Sequence, residues 1–198
     1  MYKRQLYYQG HGSYRLCSDE GTVVYVDPYA GNGYELPADV ILVTHDHYDH
    51  NVVDLPGRKP GCAVITWREA LEGGVHRSFA VGGVQMQAVP ASNRNHDPNV
   101  CVGFLITVDG VKLYAAGDTS KTEAMAGMAA LGLDYALLPI DGVYNMDPAE
   151  AAECSRLIGA KHTIPIHMKP GELFDEEMAR AFRGKDPLIV RPGQEIAL

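Results

Sequence analysis

The chain has few cysteines and no long apolar run. Four cysteines occur in 198 residues, and they are far apart and form no Cys-x-x-Cys pair, at Cys17, Cys62, Cys101 and Cys154. We therefore expect free buried thiols and a reducing, cytoplasmic location. No apolar stretch approaches the roughly 18 residues of a membrane-spanning helix, and the N-terminus lacks the apolar core of a signal peptide. The sequence thus predicts a cytoplasmic protein with no membrane partner.

Positive charge is scarce as well. The 17 Lys and Arg side chains are outnumbered by 25 Asp and Glu, which gives a formal net charge of −8. The basic residues are scattered, and the densest groups are pairs such as Lys3-Arg4 and Arg58-Lys59. Because a surface this negative repels phosphate backbones, we expect no nucleic-acid partner.

The size and composition are those of an ordinary globular protein. Hydrophobic residues make up 46% of the chain and charged residues 21%, and no repeat, linker or low-complexity tract interrupts it. A chain of this length usually forms one compact unit with a single core. We expect one domain over residues 1–198. The sequence is compatible with a homo-oligomer.

Short apolar runs, each closed by turn residues, predict a chain rich in strands. Asp109-Gly110 predicts a two-residue hairpin between two of them. Val40–Val43 and Ala136–Leu138 are continuously apolar, which predicts strands covered on both faces. The predicted strands are Thr22–Val26, Val40–Thr44, Cys62–Thr66, Val84–Val89, Val100–Val108, Val111–Ala116, Tyr135–Ile140 and Thr163–His167.

Capping patterns predict helices between the strands. Asp147, Pro148 and Glu150 have the order of an N-cap, a first-turn proline and a capping glutamate. Ser120 and Glu123 have the same capping spacing. Sheets covered by helices, in an α/β (α+β) fold, are the expectation. The predicted helices are Asp147–Gly159, Ser120–Gly132, Phe174–Gly184 and a short one over Thr66–Glu72.

The segment with the most chemical information is His45-Asp46-His47-Tyr48-Asp49-His50, in which five of six residues can bind a metal. It follows the strand Val40–Val43, where the chain leaves the core. His45 and His47 are two residues apart, so in extended chain they point the same way and can share one ion. Asp49 and His50 follow after a bend and are close enough to serve a second ion. Imidazole and carboxylate without thiolate suit zinc, manganese or iron.

Further candidate ligands stand at the ends of other strand-like runs, at His96, Asp118 and His167. Taken singly, each has an ordinary explanation: a solvated loop histidine, a helix-capping aspartate and a half-buried histidine. Functional groups at sheet ends are nevertheless what a rigid scaffold with an active-site edge produces.

Three other polar residues are weaker candidates. His76 lies in a strand-like stretch and His162 just before a strand, so we interpret both as structural. Asp46 either supports the site from outside or is solvated beside it.

The order of these motifs resembles the metallo-β-lactamase superfamily. His-x-His-x-Asp-His is followed by a lone histidine, then Gly-Asp-Thr after a strand, then Ile-Pro-x-His, and the resemblance covers residues from about 6 to 168. Four smaller motifs are similar to a branch of short metal-dependent hydrolases related to L-ascorbate-6-phosphate lactonase. They are Gly10-His11-Gly12-Ser13-Tyr14, Val26-Asp27-Pro28-Tyr29, Leu138-Pro139-Ile140 and Tyr144-Asn145-Met146-Asp147. The resemblance implies a four-layer αββα sandwich with a dinuclear metal site on one edge.

The resemblance also implies a role for each candidate residue. The first ion would be bound by His45, His47 and His96, and the second by Asp49, His50 and His167, with Asp118 bridging both. His11 would lie beside the ions or face the substrate, and Asp27 would orient a metal-binding histidine. Asp49 would orient the attacking hydroxide as the catalytic carboxylate, and Tyr144 and Lys169 would meet the substrate.

The expected activity is hydrolysis of an ester-like bond (lactone, phosphodiester, thioester or amide) in a small-molecule substrate. A hydroxide bridging two divalent ions would attack, with zinc the first expectation and manganese or iron also compatible. The alternative is a non-hydrolytic protein on the same fold, either a metal-binding module or a redox protein with a single iron. Metal content combined with turnover separates the two hypotheses.

Overall fold

Two six-stranded sheets pack face to face in the computed structural model, which describes residues 3–198. The first sheet has the order β12-β1-β2-β3-β4-β5 and the second has the order β11-β10-β9-β8-β7-β6. The strands of the first sheet are β1 Gln5–Gly10, β2 Ser13–Cys17, β3 Val23–Val26, β4 Ala38–Val43, β5 Arg58–Thr66 and β12 Glu195–Ala197. Those of the second are β6 Ser78–Val81, β7 Val84–Pro90, β8 Val102–Val108, β9 Val111–Ala115, β10 Tyr135–Pro139 and β11 His162–Ile166.

Each sheet is mixed, with a parallel half and an antiparallel half. Strands β3, β4 and β5 are parallel neighbours, and so are β9, β10 and β11. The remaining pairs are antiparallel, including the hairpin between β8 and β9. Asp109 and Gly110 both have positive φ, as a primed two-residue turn requires, so the predicted hairpin is confirmed.

The main core lies between the sheets. Alternate residues of β1 to β4, such as Leu6 and Leu42, pack against alternate residues of β7 to β11, such as Phe104 and Ile164. The continuously apolar runs of β4 and β10 are buried on both faces, as predicted. The sandwich provides the rigid frame on which the loops at one edge are placed.

Helices cover the outer face of the second sheet. The described chain has the α-helices α1 Trp67–Ala70, α2 Pro148–Ile158 and α3 Glu176–Ala181 and 3₁₀ helices at Glu72–Gly74 and Glu123–Leu131. Helix α2, α3 and the longer 3₁₀ helix pack on this face through Met128, Ile158 and Phe182. Helix α1 instead contributes Ala70 to the core between the sheets. Among residues 3–198, none of the helices combines the length and the hydropathy of a membrane-spanning segment.

The outer face of the first sheet is covered mainly by loops. Tyr34, Leu36 and Val53 pack on Tyr25 and Ile41 there. The predicted α/β class and the sandwich of two mixed sheets are confirmed. The layer outside the first sheet consists mainly of loops, because the segments that follow β3 and β4 are rich in Gly, Pro and Asp.

Two helices differ from the sequence-based prediction. The segment expected as a helix from Ser120 is a 3₁₀ helix that begins after Thr122, and its N-cap makes no side-chain bond. Met125 and Met128 are its buried residues, three apart, which suits a helix of three residues per turn. The predicted helix over Phe174–Gly184 is regular only in α3.

Candidate metal centre

The candidate residues gather at one edge of the sandwich because they follow the carboxyl ends of strands that run in the same direction. Parallel pairing aligns β3 with β4 and β9 with β10 and β11, while two antiparallel steps align β1 with β3 and β7 with β9. The site residues are His11 after β1, Asp27 after β3, His45–His50 after β4, His96 after β7, Asp118 after β9, Asp141 after β10 and His167 after β11.

Three of these residues have a strained backbone. His11, Asp27 and His167 have φ of 56°, 46° and 45°, in the left-handed region that non-glycine residues seldom adopt. The N–H of His167 donates to the carbonyl of His11 at 2.9 Å, and the hydroxyl of Tyr8 donates to the same carbonyl at 2.8 Å. Such strain costs about 1–3 kcal/mol per residue and is typical of functional sites.

The first cluster consists of His45, His47 and His96, whose potential ligand atoms all lie within 4.8 Å of one another. Nε2 of His96 is 3.1 Å from Nδ1 of His47, and the rings of His45 and His96 are 4.4 Å apart between centroids. Two nitrogens bound to one tetrahedral zinc at 2.0–2.1 Å would be separated by about 3.3 Å. The three imidazoles are therefore spaced as ligands of one shared ion.

Asp118 lies between this cluster and a second one. Its Oδ2 is 3.8 Å from Nε2 of His45, whereas its Oδ1 is 3.4 Å from Nε2 of both His50 and His167. Burial by itself would raise the pKa of the Asp118 carboxyl. The nearby His50, His167 and His45 outweigh burial and hold this pKa well below its usual range. One ionised carboxylate thus faces both clusters.

Hydrogen bonds around Thr44 determine which nitrogen of His45 is free. The Thr44 hydroxyl donates its only hydrogen to Asp27 Oδ2 at 2.7 Å. At 3.0 Å from His45 Nδ1, the same oxygen must therefore accept, so Nδ1 carries the proton of the neutral ring. Nε2 of His45 is left with a lone pair directed at Asp118 and the pocket.

The histidines of the second cluster, His50 and His167, each have a carboxylate beside Nδ1. His50 Nδ1 lies 3.0 Å from Asp27 Oδ2, and His167 Nδ1 lies 3.1 Å from Asp141 Oδ2. Asp27 accepts from His50 Nδ1 and so fixes the tautomer and orientation of that ring, as is common for metal-binding histidines, while Asp141 lies at contact distance from Nδ1 of His167. Nε2 of each ring is thereby available to the pocket.

His11 is held by the backbone of a later loop. Its Nδ1 donates to the carbonyl of Glu172 at 3.0 Å, and its Nε2 lies 3.1 Å from Oδ2 of Asp49. His11, Asp49, His50 and His167 form a group whose ligand atoms lie within 4.8 Å of one another. The structure thus brings His11 as close as the predicted ligands of the second ion.

The free atoms fit a metal rather than a protein partner. Buried atoms without a hydrogen-bond partner include Nε2 of His45, His50 and His167 and Oδ1 of Asp118. Leaving several such groups unpaired in one place costs about 1–3 kcal/mol each. Nitrogen and carboxylate donors converging without thiolate match zinc, manganese or iron.

The pKa values of the histidines differ between the two clusters. Burial and the neighbouring His50 hold the pKa of His45 well below its ordinary value, and burial lowers the pKa of His96. His50 differs: burial opposes its charge, but Asp118 and Asp27 raise its pKa to about 9. The carboxylates of Asp118 and Asp27 thus favour a positive charge at this place, which a bound metal ion would supply.

A cavity of about 370 Å³ opens onto these residues. Its lining includes His47, Asp49, Asp118 and His167, with Tyr48, Asn95, His96, Tyr144 and Pro170 at the walls. A larger groove of about 620 Å³ lies on the outer face of the second sheet, but its lining contains no histidine or carboxylate. Of these two, the smaller cavity is therefore the candidate active site, because it is lined by potential metal ligands.

Two residues of the site were not among the sequence-based candidates. Asp141 Oδ1 accepts the backbone N–H groups of Val143 and Tyr144 at 2.7 Å, while its Oδ2 faces His167. Burial by itself would raise the pKa of the Asp141 carboxyl, but His167 and these N–H groups hold it well below its usual range. Thr44 is the other. Asp141 follows a continuously apolar strand, as Asp118 does, and that position is the signal that could have identified it.

Asn93 and Asn145 connect the two clusters. The Asn145 amide donates to Asp141 Oδ2 at 2.8 Å and accepts from the Asn93 amide at 2.7 Å. Asn93 Oδ1 in turn accepts the backbone N–H of His96 at 2.9 Å. A continuous set of hydrogen bonds therefore runs from the loop of His96 to the carboxylate beside His167.

The remaining candidates lie outside the cavity lining. Asp46 accepts from the indole of Trp67 at 3.1 Å and pairs with Arg68 at 2.6 Å, so it anchors α1. The Lys169 ammonium lies 2.6 Å from Glu172 rather than in the cavity. His162 pairs with Asp186. His76 is part of none of the metal-competent groups found in residues 3–198.

We predict that Gly12→Ala weakens metal binding through His50. A Cβ at Gly12 would lie 2.8 Å from Cε1 and 3.2 Å from Nδ1 of the His50 ring, so the ring must shift from the position in which it contacts Asp27. Displacing an oriented ligand typically costs 10- to 100-fold in affinity, roughly, and we expect that loss in a zinc titration. Gly127→Ala, where a Cβ meets nothing within 4 Å, is the matched control. Equal zinc affinity in Gly12→Ala and the wild type would contradict a ligand role for His50.

Comparison with known proteins identifies the class to which this fold and site belong. The family model described as a beta-lactamase superfamily domain matches residues 5–167, and the chain belongs to that family. Curated relatives include UPF0173 metal-dependent hydrolases of Nitratidesulfovibrio vulgaris and Rubrobacter xylanophilus. Each is 30% identical, and the alignments cover 87% and 96% of this chain and 83% and 94% of the relatives, respectively.

A solved structure agrees with this assignment. The metallo hydrolase Igni18 of Ignicoccus hospitalis superposes with a TM-score of 0.76 at 22% identity, covering 100% of this chain and 99% of that one. At this identity the likeness shows the fold. The family match and the curated relatives together identify the protein as a metal-dependent hydrolase of the metallo-β-lactamase superfamily. The closer relation to L-ascorbate-6-phosphate lactonase stays a prediction.

Proposed function

We propose that the protein binds two divalent ions, with zinc the first expectation, and hydrolyses an ester-like bond in a small-molecule substrate. The observation that carries the proposal is Asp118, a single buried carboxylate that faces His45 on one side and His50 and His167 on the other. In this proposal His45, His47 and His96 hold the first ion, Asp49, His50 and His167 hold the second, and Asp118 bridges them.

When bound, the two ions would supply a water that is deprotonated near neutral pH and would polarise the oxygen of the bond to be cleaved. The protein's own contribution is to place the donors. Asp27 orients His50 directly and His45 through Thr44, and Asp141 orients His167. These outer carboxylates keep the Nε2 atoms aimed at the ions without rearrangement.

Asp49 is the carboxylate proposed to orient the attacking water. Burial by itself would raise the pKa of the Asp49 carboxyl, but the hydrogen bond from His11 and the charge of His50 hold it well below its usual range. The ionised group lies at the cavity wall, where it can accept a hydrogen bond from the water. His11 is anchored by the carbonyl of Glu172, so it fixes the position of Asp49.

The domain organisation is also part of the proposal. Because both sheets bury one shared core, residues 1–198 are proposed to act as a single domain with the small substrate entering at the loop edge. The type of ester-like bond, whether lactone, phosphodiester, thioester or amide, is the part that the experiment below is designed to resolve.

Metal content and turnover test the proposal together. Protein purified without chelator should contain two ions per chain and should turn over at least one member of a panel of lactones, thioesters, amides and chromogenic phosphodiesters. Asp49→Ala should lose about 10³-fold or more in kcat. Asp46→Ala is the matched control, since that carboxylate of the same motif points to Arg68 and Trp67 and should retain activity. One redox-active iron per chain, or no turnover on any substrate, would favour the non-hydrolytic alternative.

A further inference from the structure

Two tyrosines stand at the mouth of the metal cavity with most or much of their surface in water. Tyr48 is 70% exposed and Tyr144 is 48% exposed, and both line the cavity. Tyr48 belongs to the loop after β4 of the first sheet and Tyr144 to the loop after β10 of the second. Exposed aromatic rings beside a reactive pocket gain little from folding, whereas a ligand that covers them gains their large apolar area.

Tyr48 is supported by a series of aromatic contacts that ends at the metal site. The edge of its ring meets Tyr29 at a centroid distance of 5.9 Å, and Tyr29 lies 5.3 Å from the ring of His11. His11 in turn lies 3.9 Å from the ring of His167. The position of Tyr48 is therefore tied to that of the site residues.

Tyr144 is held by the backbone of its own loop. Its N–H donates to Asp141 Oδ1 at 2.7 Å, in a turn that also engages the N–H groups of Val143 and Asn145. The other oxygen of that carboxylate faces His167. The backbone that carries the Tyr144 ring is therefore fixed relative to the second cluster.

The cations of the neighbouring loops are engaged with protein acceptors. Arg94 donates to the carbonyl of Val143, and Lys169 pairs with Glu172. Among the described residues that line the cavity there is no lysine or arginine, and Tyr48 and Tyr144 are the lining residues with large exposed apolar surface. The cavity of about 370 Å³ is at the small end of the range for ligand pockets, about 300–1,000 Å³.

We propose that Tyr48 and Tyr144 are specificity-determining residues that contact a planar, uncharged ring adjacent to the bond that is cleaved. The reaction at that bond rests on the proposed function, but the preference for a ring does not. The substrate class inferred is a small ester-like compound with an aromatic or similarly flat substituent.

Kinetics with matched substrates test the proposal. Bis(4-nitrophenyl) phosphate and methyl 4-nitrophenyl phosphate share a leaving group and differ in one ring. Tyr48→Ala and Tyr144→Ala should each raise KM for the two-ring substrate by about 3- to 10-fold, with less change for the methyl substrate and little change in kcat. Phe at either position should retain the preference. Val143→Ala removes an exposed side chain of the same loop that is not in the cavity lining, and it should behave as wild type.

A binding experiment distinguishes a failure of the proposed tyrosine contacts from a failure of the proposed reaction. Zinc-loaded protein should bind phenylphosphonate about 10-fold or more tightly than methylphosphonate by calorimetry, and the two alanine variants should reduce that ratio. This result would support the tyrosine contacts even if neither phosphodiester were hydrolysed. Equal affinity for the two phosphonates in the wild type, or a ratio unchanged in both alanine variants, would overturn the proposal.

Discussion

Asp118→Ala is expected to abolish hydrolysis, by about 10³-fold or more, and to lower the number of ions bound per chain. Asp118 faces both clusters, with Oδ2 toward His45 and Oδ1 toward His50 and His167. Removing it takes a negative charge from between two cations and one ligand from each. The loss should therefore be larger than for a residue that contacts one ion.

The measurement is metal content by elemental analysis, with kcat on whichever substrate the wild type accepts. Asp118→Asn serves as the control for shape, because it keeps the volume and one acceptor oxygen but not the charge. We expect both variants to fold, since Asp118 has no part in the core between the sheets. If Asp118→Ala retained two ions and full activity, the bridging role would be wrong.

Asp27→Ala is expected to destabilise the protein by about 3–5 kcal/mol and to weaken metal binding as well. This carboxylate is buried and accepts from the Thr44 N–H at 2.8 Å, the Thr44 hydroxyl at 2.7 Å and His50 Nδ1 at 3.0 Å. Alanine would leave these donors unpaired and would also have to adopt a φ of 46°, which Asp and Asn adopt more readily than alanine does.

Urea unfolding of the metal-free protein and a zinc titration give the two readouts separately. Asp27→Asn is the informative comparison, because asparagine tolerates the left-handed backbone and its oxygen can still accept the Thr44 N–H. It should keep most of the stability but lose metal affinity, since its amide cannot accept from Thr44 and His50 together. A stable Asp27→Ala with wild-type zinc affinity would show that neither histidine depends on this carboxylate.

Local patterns predicted most of the strands and the chemical nature of the site. The hairpin at Asp109-Gly110 and the buried strand Val40–Val43 were predicted from turn chemistry and continuous apolar runs, and both are confirmed. These features depend on residues close in the chain, so a short window contains the information. The segment after Ser120 was predicted less well, because its burial pattern is set by packing on the second sheet.

The sites of His96, Asp118 and His167 could be proposed from strand ends, and the structure brings all three to one edge. Asp141 also follows a strand end, but the ring that it contacts could not be proposed in this way, and neither could the carbonyl of Glu172. Each contacts a histidine distant in the chain, and nothing in its own neighbourhood indicates which ring that is.

The amino-acid sequence by itself determines which kinds of metal-binding side chain are present, in what order they occur and which strands precede them. These features follow from residue chemistry and from apolar periodicity over short segments. Tertiary structure alone decided which acceptor holds each imidazole, that His11 reaches Asp49, and that two tyrosines flank the cavity. The physical reason is that strands running in one direction bring their carboxyl ends together from segments far apart in sequence, and these distances depend on the packing of both sheets.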